Sequence, residues 1–276
     1  MQTAVVTDST SDIPDESARD LNIQVVPNIM VIDGQEYEDG KGISRPEFYR
    51  RLPNLNPPPT TATSSSGVYT NLYQRLFGQG YDQVVSIHAS GALSGIINAA
   101  SAAAQAYLGR VFVIDSEQVS SGLGFQVVHI AEQLAKGNQL ESILEQLPVY
   151  RQRIHLVAML DTLEFVRRSG RVSWARAHLG NLLNIKLFIK IQDGKVIRYG
   201  ETRTRQKGIE RLKQILEGLG PLERLSILHT NAETEACRFL ASLQVNSQIK
   251  PILINVTTIL GVHVGPNALG FTAITQ

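Results

Sequence analysis

The chain has 276 residues, 43% hydrophobic and 18% charged, which is enough apolar material for a full core and two domains. Its 26 Lys and Arg residues against 25 Asp and Glu leave a net charge of +1, which argues against general nucleic-acid binding. The one cysteine, Cys237, excludes an internal disulfide, and with no leader-like start or long apolar stretch we expect a soluble, cytoplasmic protein.

Short β-branched runs alternate with helical patterns up to about residue 150. The predicted strands are residues 3–7, 23–32, 84–88 and 111–114, and the predicted helices are residues 14–20, 94–108 and 122–136. Strands separated by helices of this length imply right-handed crossovers between parallel strands. We therefore predict an α/β domain over residues 1–154, three layers thick with a mainly parallel sheet.

The pattern changes after a helix predicted over residues 140–153. Residues 185–191 and 196–203 are predicted to form a hairpin, because Asp193-Gly194 between them favours a tight turn. Further strands are predicted at residues 156–160, 225–228, 252–256 and 271–275, and further helices at residues 163–168, 174–183, 206–219 and 233–243. Residues 155–276 are thus predicted to form an α+β domain with a mixed or antiparallel sheet.

Three segments rich in glycine, small and hydroxyl-bearing residues stand out: residues 60–67, 88–95 and 261–268. Each supplies hydroxyl, backbone N–H or imidazole donors that could hold one anionic group. None of the three contains a carboxylate, and the chain has no P-loop, no nucleophile elbow and no His or Cys cluster with metal spacing. This combination favours a site that holds an acid without transforming it, with no metal and no cofactor.

Several polar residues have two interpretations at this stage. Asp8 and Asp115 end two strands at the edge where open α/β sheets bind ligands, or they are helix N-caps. Ser94 is either a plain N-cap or a ligand contact. Arg171 is either solvated or paired with a carboxylate or phosphate, and His263 is either structural or at a site.

A cationic stretch at residues 198–213 holds six Lys and Arg residues against Glu201 and Glu210. Such a stretch is usually a solvated face of a helix. The alternative is a docking surface, for which Arg203 and Arg205 are the candidate partner contacts.

Taken together and in order, these motifs resemble the DegV family, the fatty-acid-binding subunits of bacterial fatty acid kinase. The matching motifs are Val5-Val6-Thr7-Asp8-Ser9, Thr63-Ser64, residues 90–95, Asp115-Ser116 with residues 120–124, residues 169–173, and His263-Val264-Gly265-Pro266. The resemblance covers nearly the whole chain. It implies an α/β domain followed by an α+β domain that closes a lipid tunnel around one fatty acid.

The resemblance also implies a set of residues that bind the fatty-acid carboxylate. They are Thr63, Ser64, Ser90, Ser94, Gly95, Arg171 and His263. The serine turn is one residue longer than in the family, so the choice between Ser90 and Ser94 stays open. In addition, Ile96-Ile97-Asn98 stands where the family has Thr-Tyr-Gln, which leaves the preferred acyl chain open.

The implied function is that of a carrier. The protein would bind a long-chain fatty acid, present its carboxylate to a separate ATP-dependent kinase, and keep the acyl-phosphate for an acyltransferase of phospholipid synthesis. A transient contact with a membrane surface is expected, and catalysis is expected only in the partner kinase. The alternative hypothesis is a phosphotransferase or hydrolase that uses Asp8 or Asp115 with His263.

Overall fold

The computed structural model describes residues 1–172, 174 and 185–276. The chain forms two compact units. The first contains Met1–Ile29, Thr61–Gln152 and Asp193–Lys195, and the second contains Met30–Thr60, Arg153–Gln192 and Val196–Gln276.

The strands, numbered in chain order, are β1 Thr3–Asp8, β2 Ile23–Val26, β3 Ile29–Ile32, β4 Gln35–Glu38, β5 Thr60–Ala62, β6 Gln83–His88, β7 Val111–Asp115, β8 Ile154–Leu160, β9 Lys186–Gln192, β10 Lys195–Thr202, β11 Leu222–His229, β12 Ile252–Asn255 and β13 Leu269–Thr275. The helices are α1 Asp15–Asp20, α2 Arg45–Arg51, α3 Ser66–Gly78, α4 Ile96–Ala104, α5 Ser121–Ala135, α6 Leu140–Gln152, α7 Glu164–Ser169, α8 Arg205–Glu217, α9 Glu233–Ser242 and α10 Thr258–Val264. Short 3₁₀ turns lie at Ser9–Ser11, Leu52–Asn54 and Gln105–Tyr107.

The first unit is built on a parallel four-stranded sheet with strand order β2-β1-β6-β7. All six residues of β6 are buried, as expected for a parallel strand that is covered on both faces. Helix α3 packs Tyr69 and Tyr73 next to β6, where Tyr69 meets the ring of His88 edge-on. The predicted parallel α/β architecture is confirmed here.

The second unit contains a six-stranded mixed sheet with order β10-β9-β8-β13-β11-β12. Among the strand pairs of this sheet whose register is determined within the described residues, β11 with β12 is the only parallel pair. The pairs β8–β9, β8–β13 and β11–β13 are antiparallel. One face packs Phe188 and Phe271 against Leu212 of α8 and Phe239 of α9. The predicted mixed sheet is therefore confirmed.

The predicted tight turn between β9 and β10 is also present. Asp193 and Gly194 both have positive φ, 50° and 72°, which is the conformation that an Asp-Gly hairpin turn requires. The hairpin is thus a local consequence of two residues.

The compact units differ from the two continuous domains expected from the sequence. Residues 30–60, expected in the first domain, belong to the second unit, although the later division at residues 152/153 lies close to the expected boundary. The reason is hydrophobic packing, because Met30, Phe48 and Tyr49 share a buried cluster with Phe165 and Ile259.

Some secondary structure also differs from the prediction. Residues 23–32 form two strands, β2 and β3, instead of one, and Pro27 lies in the break between them. Helix α2 and the small sheet of order β4-β3-β5 were not predicted. The helix predicted at residues 174–183 lies outside the described residues, apart from Trp174. Within the part of the chain described above, no helix is both long enough and apolar enough to cross a membrane.

Candidate functional site

The strand order of the first unit places its candidate site at the carboxyl ends of β1 and β6. These strands are neighbours, and the chain continues from β1 to β2 on one side and from β6 to β7 on the other. Open α/β sheets bind ligands in the crevice at such a reversal of strand order. The residues that end these strands, Asp8 and His88, and the segments that follow them therefore occupy the expected position.

Asp8 is fully buried and joins the two strand ends. Its carboxylate accepts hydrogen bonds from Thr10 N (3.0 Å), Asn28 Nδ2 (3.1 Å), His88 Nδ1 (3.0 Å), Ala89 N (3.2 Å) and the Thr10 hydroxyl. Burial raises the pKa of Asp8, but the interactions with His88, Thr10 and Ala89 outweigh burial and hold the pKa below its ordinary value. Asp8 is therefore an ionised anchor, and it caps the 3₁₀ turn that follows it.

A chain of hydrogen bonds continues from Asp8 into the core. Tyr73 OH donates to Ser86 Oγ (2.8 Å), and Ser86 Oγ lies 2.7 Å from His88 Nε2. Because the Ser86 hydroxyl has one proton, the full set of bonds is satisfied when Ser86 donates to Nε2 and His88 carries its proton on Nδ1, facing Asp8. This order of donors links the Asp8 carboxylate to Tyr73 through one continuous chain of hydrogen bonds.

The order Ser86, His88, Asp8 has the hydrogen-bond pattern of a hydrolase triad, but all three side chains are 0% exposed. Ser86 also lies inside β6 instead of on an exposed turn, so no substrate reaches its hydroxyl. The imidazole that contacts Asp8 is that of His88, whereas the alternative enzyme hypothesis assigned His263 to this role. The arrangement is structural.

The segment 88–95 forms a tight turn between β6 and α4. Ser90 is buried, its hydroxyl donates to the carbonyl of Gly194 (2.7 Å), and its carbonyl accepts from the backbone N–H groups of Leu93 and Ser94. Ser94 is half-buried and its Oγ accepts from Ile96 N (3.4 Å). A hydroxyl that accepts a hydrogen bond can still donate its own proton, so the Ser94 hydroxyl can donate to a ligand. The proton of the Ser90 hydroxyl, in contrast, is already donated to the Gly194 carbonyl.

Gly95 is the N-cap residue of α4, which follows directly. The first N–H groups of a helix have no partner inside the helix, and they carry the positive end of its dipole. The turn therefore brings Ser94 beside a helix N-terminus, which is a favourable place for an anion.

The segment 60–67 places its two candidate residues differently. Thr63 is exposed in the turn between β5 and α3, whereas Ser64 is buried and donates its hydroxyl proton to the carbonyl of Pro27 (2.6 Å). Ser64 therefore anchors the turn, and Thr63 is the exposed residue of the two.

Asp115 holds the same turn from the next strand. Its carboxylate accepts from Gly91 N (3.0 Å) and Glu117 N (2.8 Å). Helix α5 begins only at Ser121, so Asp115 is not its N-cap, in contrast to one of the two interpretations above. Arg151 donates to the Asp115 carbonyl (2.6 Å) and pairs with Glu117, which fixes this edge of the sheet.

The remaining two candidates lie in the second unit. His263 is half-buried on α10, and Arg171 is exposed after Gly170, which has φ 70°. Burial and the positive charge of Arg171 lower the pKa of His263 to about 4. The imidazole is therefore neutral at physiological pH.

Helix α10 is positioned by residues that the sequence did not single out. Thr258 donates to Asp39 Oδ1 (2.9 Å), the Thr257 hydroxyl also donates to Asp39, and Tyr49 OH donates to the carbonyl of Val256 (2.8 Å). Asp39 and Tyr49 stand more than 200 positions away in the chain, so no local pattern could have identified them. Ser86 and His88 left a visible signal, since they alternate with Val85 and Ile87 in β6.

The two candidate partner contacts also differ in their surroundings. Arg203 is exposed. Arg205 is half-buried and donates to Glu235 (3.0 Å) and Asp161 (3.2 Å), so its charge is already compensated within the second unit. No group of three or more His, Cys, Asp or Glu side chains suited to a metal ion occurs among the residues that the structure describes.

Comparisons with known proteins agree with this fold. A family model described as an uncharacterised protein of the DegV family matches residues 2–276. A DegV domain-containing protein of Listeria monocytogenes is 32% identical over 274 residues, covering 98% of this chain and 97% of its own.

Two solved structures of DegV proteins described as fatty-acid-binding are similar over 100% of both chains. The Thermus thermophilus protein has a TM-score of 0.90 at 30% identity, and the Bacillus subtilis protein a TM-score of 0.87 at 29% identity. Because the family model spans nearly every residue and the Listeria relative matches along almost the whole of both chains, this chain belongs to the DegV family.

Proposed function

We propose that this protein binds a long-chain fatty acid and presents its carboxylate to a separate ATP-dependent kinase. It then holds the acyl-phosphate until an acyltransferase of phospholipid synthesis takes it, with transient contact with a membrane surface. The observation that carries the first step is the likeness, at 30% identity and a TM-score of 0.90, to a DegV protein described as fatty-acid-binding.

The donor set of the first unit supports this proposal chemically. Ser94 and Thr63 offer hydroxyl groups, and Ser94 lies beside the N-terminus of α4, where the helix dipole favours an anion. Hydroxyl donors can hydrogen-bond either a carboxylate or an acyl-phosphate. The Ser86–His88–Asp8 chain is fully buried, so the Ser86 hydroxyl is out of reach of a ligand bound there.

The expected affinity follows from the acyl chain. Burial of ~15 methylenes at roughly 0.8 kcal/mol each gives about 12 kcal/mol of gross hydrophobic stabilisation. Several kcal/mol are lost when the ligand is immobilised. We therefore expect the protein to retain a fatty acid during purification.

Native mass spectrometry of protein purified from cells tests the proposal, because a retained fatty acid adds its own mass. Titration with a fluorescent fatty acid after delipidation provides the affinity. A protein that carries no lipid and shows no saturable binding of oleate or palmitate would refute it. Acyl-phosphate formation only when a kinase subunit is added would support the second step.

We expect Thr63→Ala and Ser94→Ala each to weaken fatty-acid binding roughly 10- to 150-fold, since a hydrogen bond to a charged group contributes about 1.5–3 kcal/mol. The matched control is Ser64→Ala, which removes a hydroxyl that already donates to Pro27. The fatty-acid affinity of this variant should stay within about twofold of wild type, while its free energy of unfolding falls by about 1 kcal/mol. Wild-type affinity in both test variants would remove these residues from the carboxylate site.

The titration of His263 provides an independent test of its place in the site. In delipidated protein its NMR titration should have a midpoint near pH 4, because burial and Arg171 lower its pKa to about 4. A bound carboxylate next to it favours the imidazolium ion, so oleate should raise this midpoint. His155, whose pKa is lowered by burial and by Lys190, is the internal control and should not respond. An unchanged midpoint with oleate bound would place His263 away from the carboxylate.

A further inference from the structure

A groove of about 1260 Å³ lies on the surface of the second unit, lined by residues of α8 and α9. Its volume exceeds the roughly 300–1,000 Å³ typical of small-molecule sites. A segment of polypeptide is therefore a better match to it than a metabolite.

The groove carries excess positive charge. Lys207, Arg211 and Arg238 line it and are exposed. Lys207 and Arg211 lie four positions apart on α8, where like charges repel and destabilise a helix. Of the carboxylates that line it, Glu235 is already paired with Arg205. Lys207 and Arg238 therefore favour an acidic partner, while the Arg211 guanidinium lies 5.3 Å from the centroid of the Phe188 ring.

The same groove has an apolar component. Ile209 of α8 lines the groove and is half-buried, whereas Phe239 of α9, which also lines it, is 1% exposed and belongs to the hydrophobic core. A groove with apolar contacts and cationic walls is complementary to a helix that has one apolar and one acidic face.

From this arrangement we propose that the α8–α9 groove binds an acidic amphipathic helix of a partner protein. A flat bilayer does not enter a concave groove between two helices. Nucleic acid is disfavoured because a net charge of +1 over the whole chain gives no broad basic surface. The proposal goes beyond fatty-acid binding and does not depend on it.

The test uses a fluorescein-labelled synthetic peptide with Leu at helical spacing and Glu at the remaining positions, measured by fluorescence anisotropy. Its control is a peptide of the same composition with the Leu positions scrambled. We expect the amphipathic peptide to bind about tenfold more tightly than the scrambled peptide. Its affinity should fall about tenfold for the variant that combines Lys207→Glu and Arg238→Glu. Hydrogen exchange should show peptide-dependent protection in α8 and α9.

The matched variant combines Arg19→Glu with Lys136→Glu, which makes the same change of charge at exposed positions of the first unit. Its peptide affinity should stay within about twofold of wild type. An equal loss of peptide affinity in the two double variants would show non-specific attraction and overturn the proposal. Equal binding of the amphipathic and the scrambled peptide to the wild type would overturn it as well. Vesicles containing phosphatidylglycerol that bind with the same dependence on Lys207 and Arg238, while the peptide does not bind, would overturn it in favour of a membrane.

Discussion

Replacement of Gly265 by alanine is expected to destabilise the protein by about 3–5 kcal/mol. Gly265 has φ 78° and ψ 177°, a region of backbone conformation that is essentially restricted to glycine. A Cβ atom there would lie 2.8 Å from Cε2 of Phe165 and closer still to Cδ2. Phe165 is packed in the buried cluster with Tyr49 and Val262 and has little room to move. Backbone strain at residue 265 and steric overlap with the Phe165 ring therefore both destabilise the variant.

Urea unfolding of the wild type and the variant measures this loss. The control is Gly78→Ala at the end of α3, where a Cβ atom meets nothing within 4 Å and φ is not positive. That variant should be neutral or more stable by up to about 1 kcal/mol. A loss below about 1 kcal/mol for Gly265→Ala would show that α10 and Phe165 rearrange easily.

The second large effect is expected for Asp8→Ala, a loss of about 3–5 kcal/mol. The substitution leaves the buried N–H groups of Thr10 and Ala89, and the side chains of Asn28 and His88, without their acceptor. Asp20→Ala, at an exposed position of α1, is the control and should change stability by less than about 0.5 kcal/mol.

The pH dependence of stability tests whether Asp8 is ionised. The pKa of Asp8 in the folded protein is below its ordinary value, whereas the unfolded chain titrates near about 3.9. The contribution of Asp8 to the free energy of unfolding is therefore complete above about pH 3.9. It is lost as the pH falls through the pKa of Asp8 in the folded protein, because the unfolded chain binds the proton first. The wild type should lose stability more steeply below about pH 4 than Asp8→Asn does. Identical slopes would mean that Asp8 is not an ionised anchor.

Much of the architecture is a local property of the sequence. Alternation of β-branched runs and helical patterns predicts the parallel sheet of the first unit, and Asp193-Gly194 predicts the hairpin, because periodicity and turn conformation depend on neighbouring residues. The segments rich in hydroxyl groups were visible for the same reason. They identified Thr63 and Ser94, although their role in binding is still a prediction.

The tertiary structure alone decided which donors remain for a ligand and where residues 30–60 belong. Ser64 donates to Pro27, Ser90 donates to Gly194 across 104 positions, and Asp8 meets His88 across 80 positions. Residues 30–60 join the second unit through packing of Tyr49 against residues more than 200 positions later. These partners lie far apart in the sequence and meet only in the folded chain, so the local pattern of residues cannot identify them.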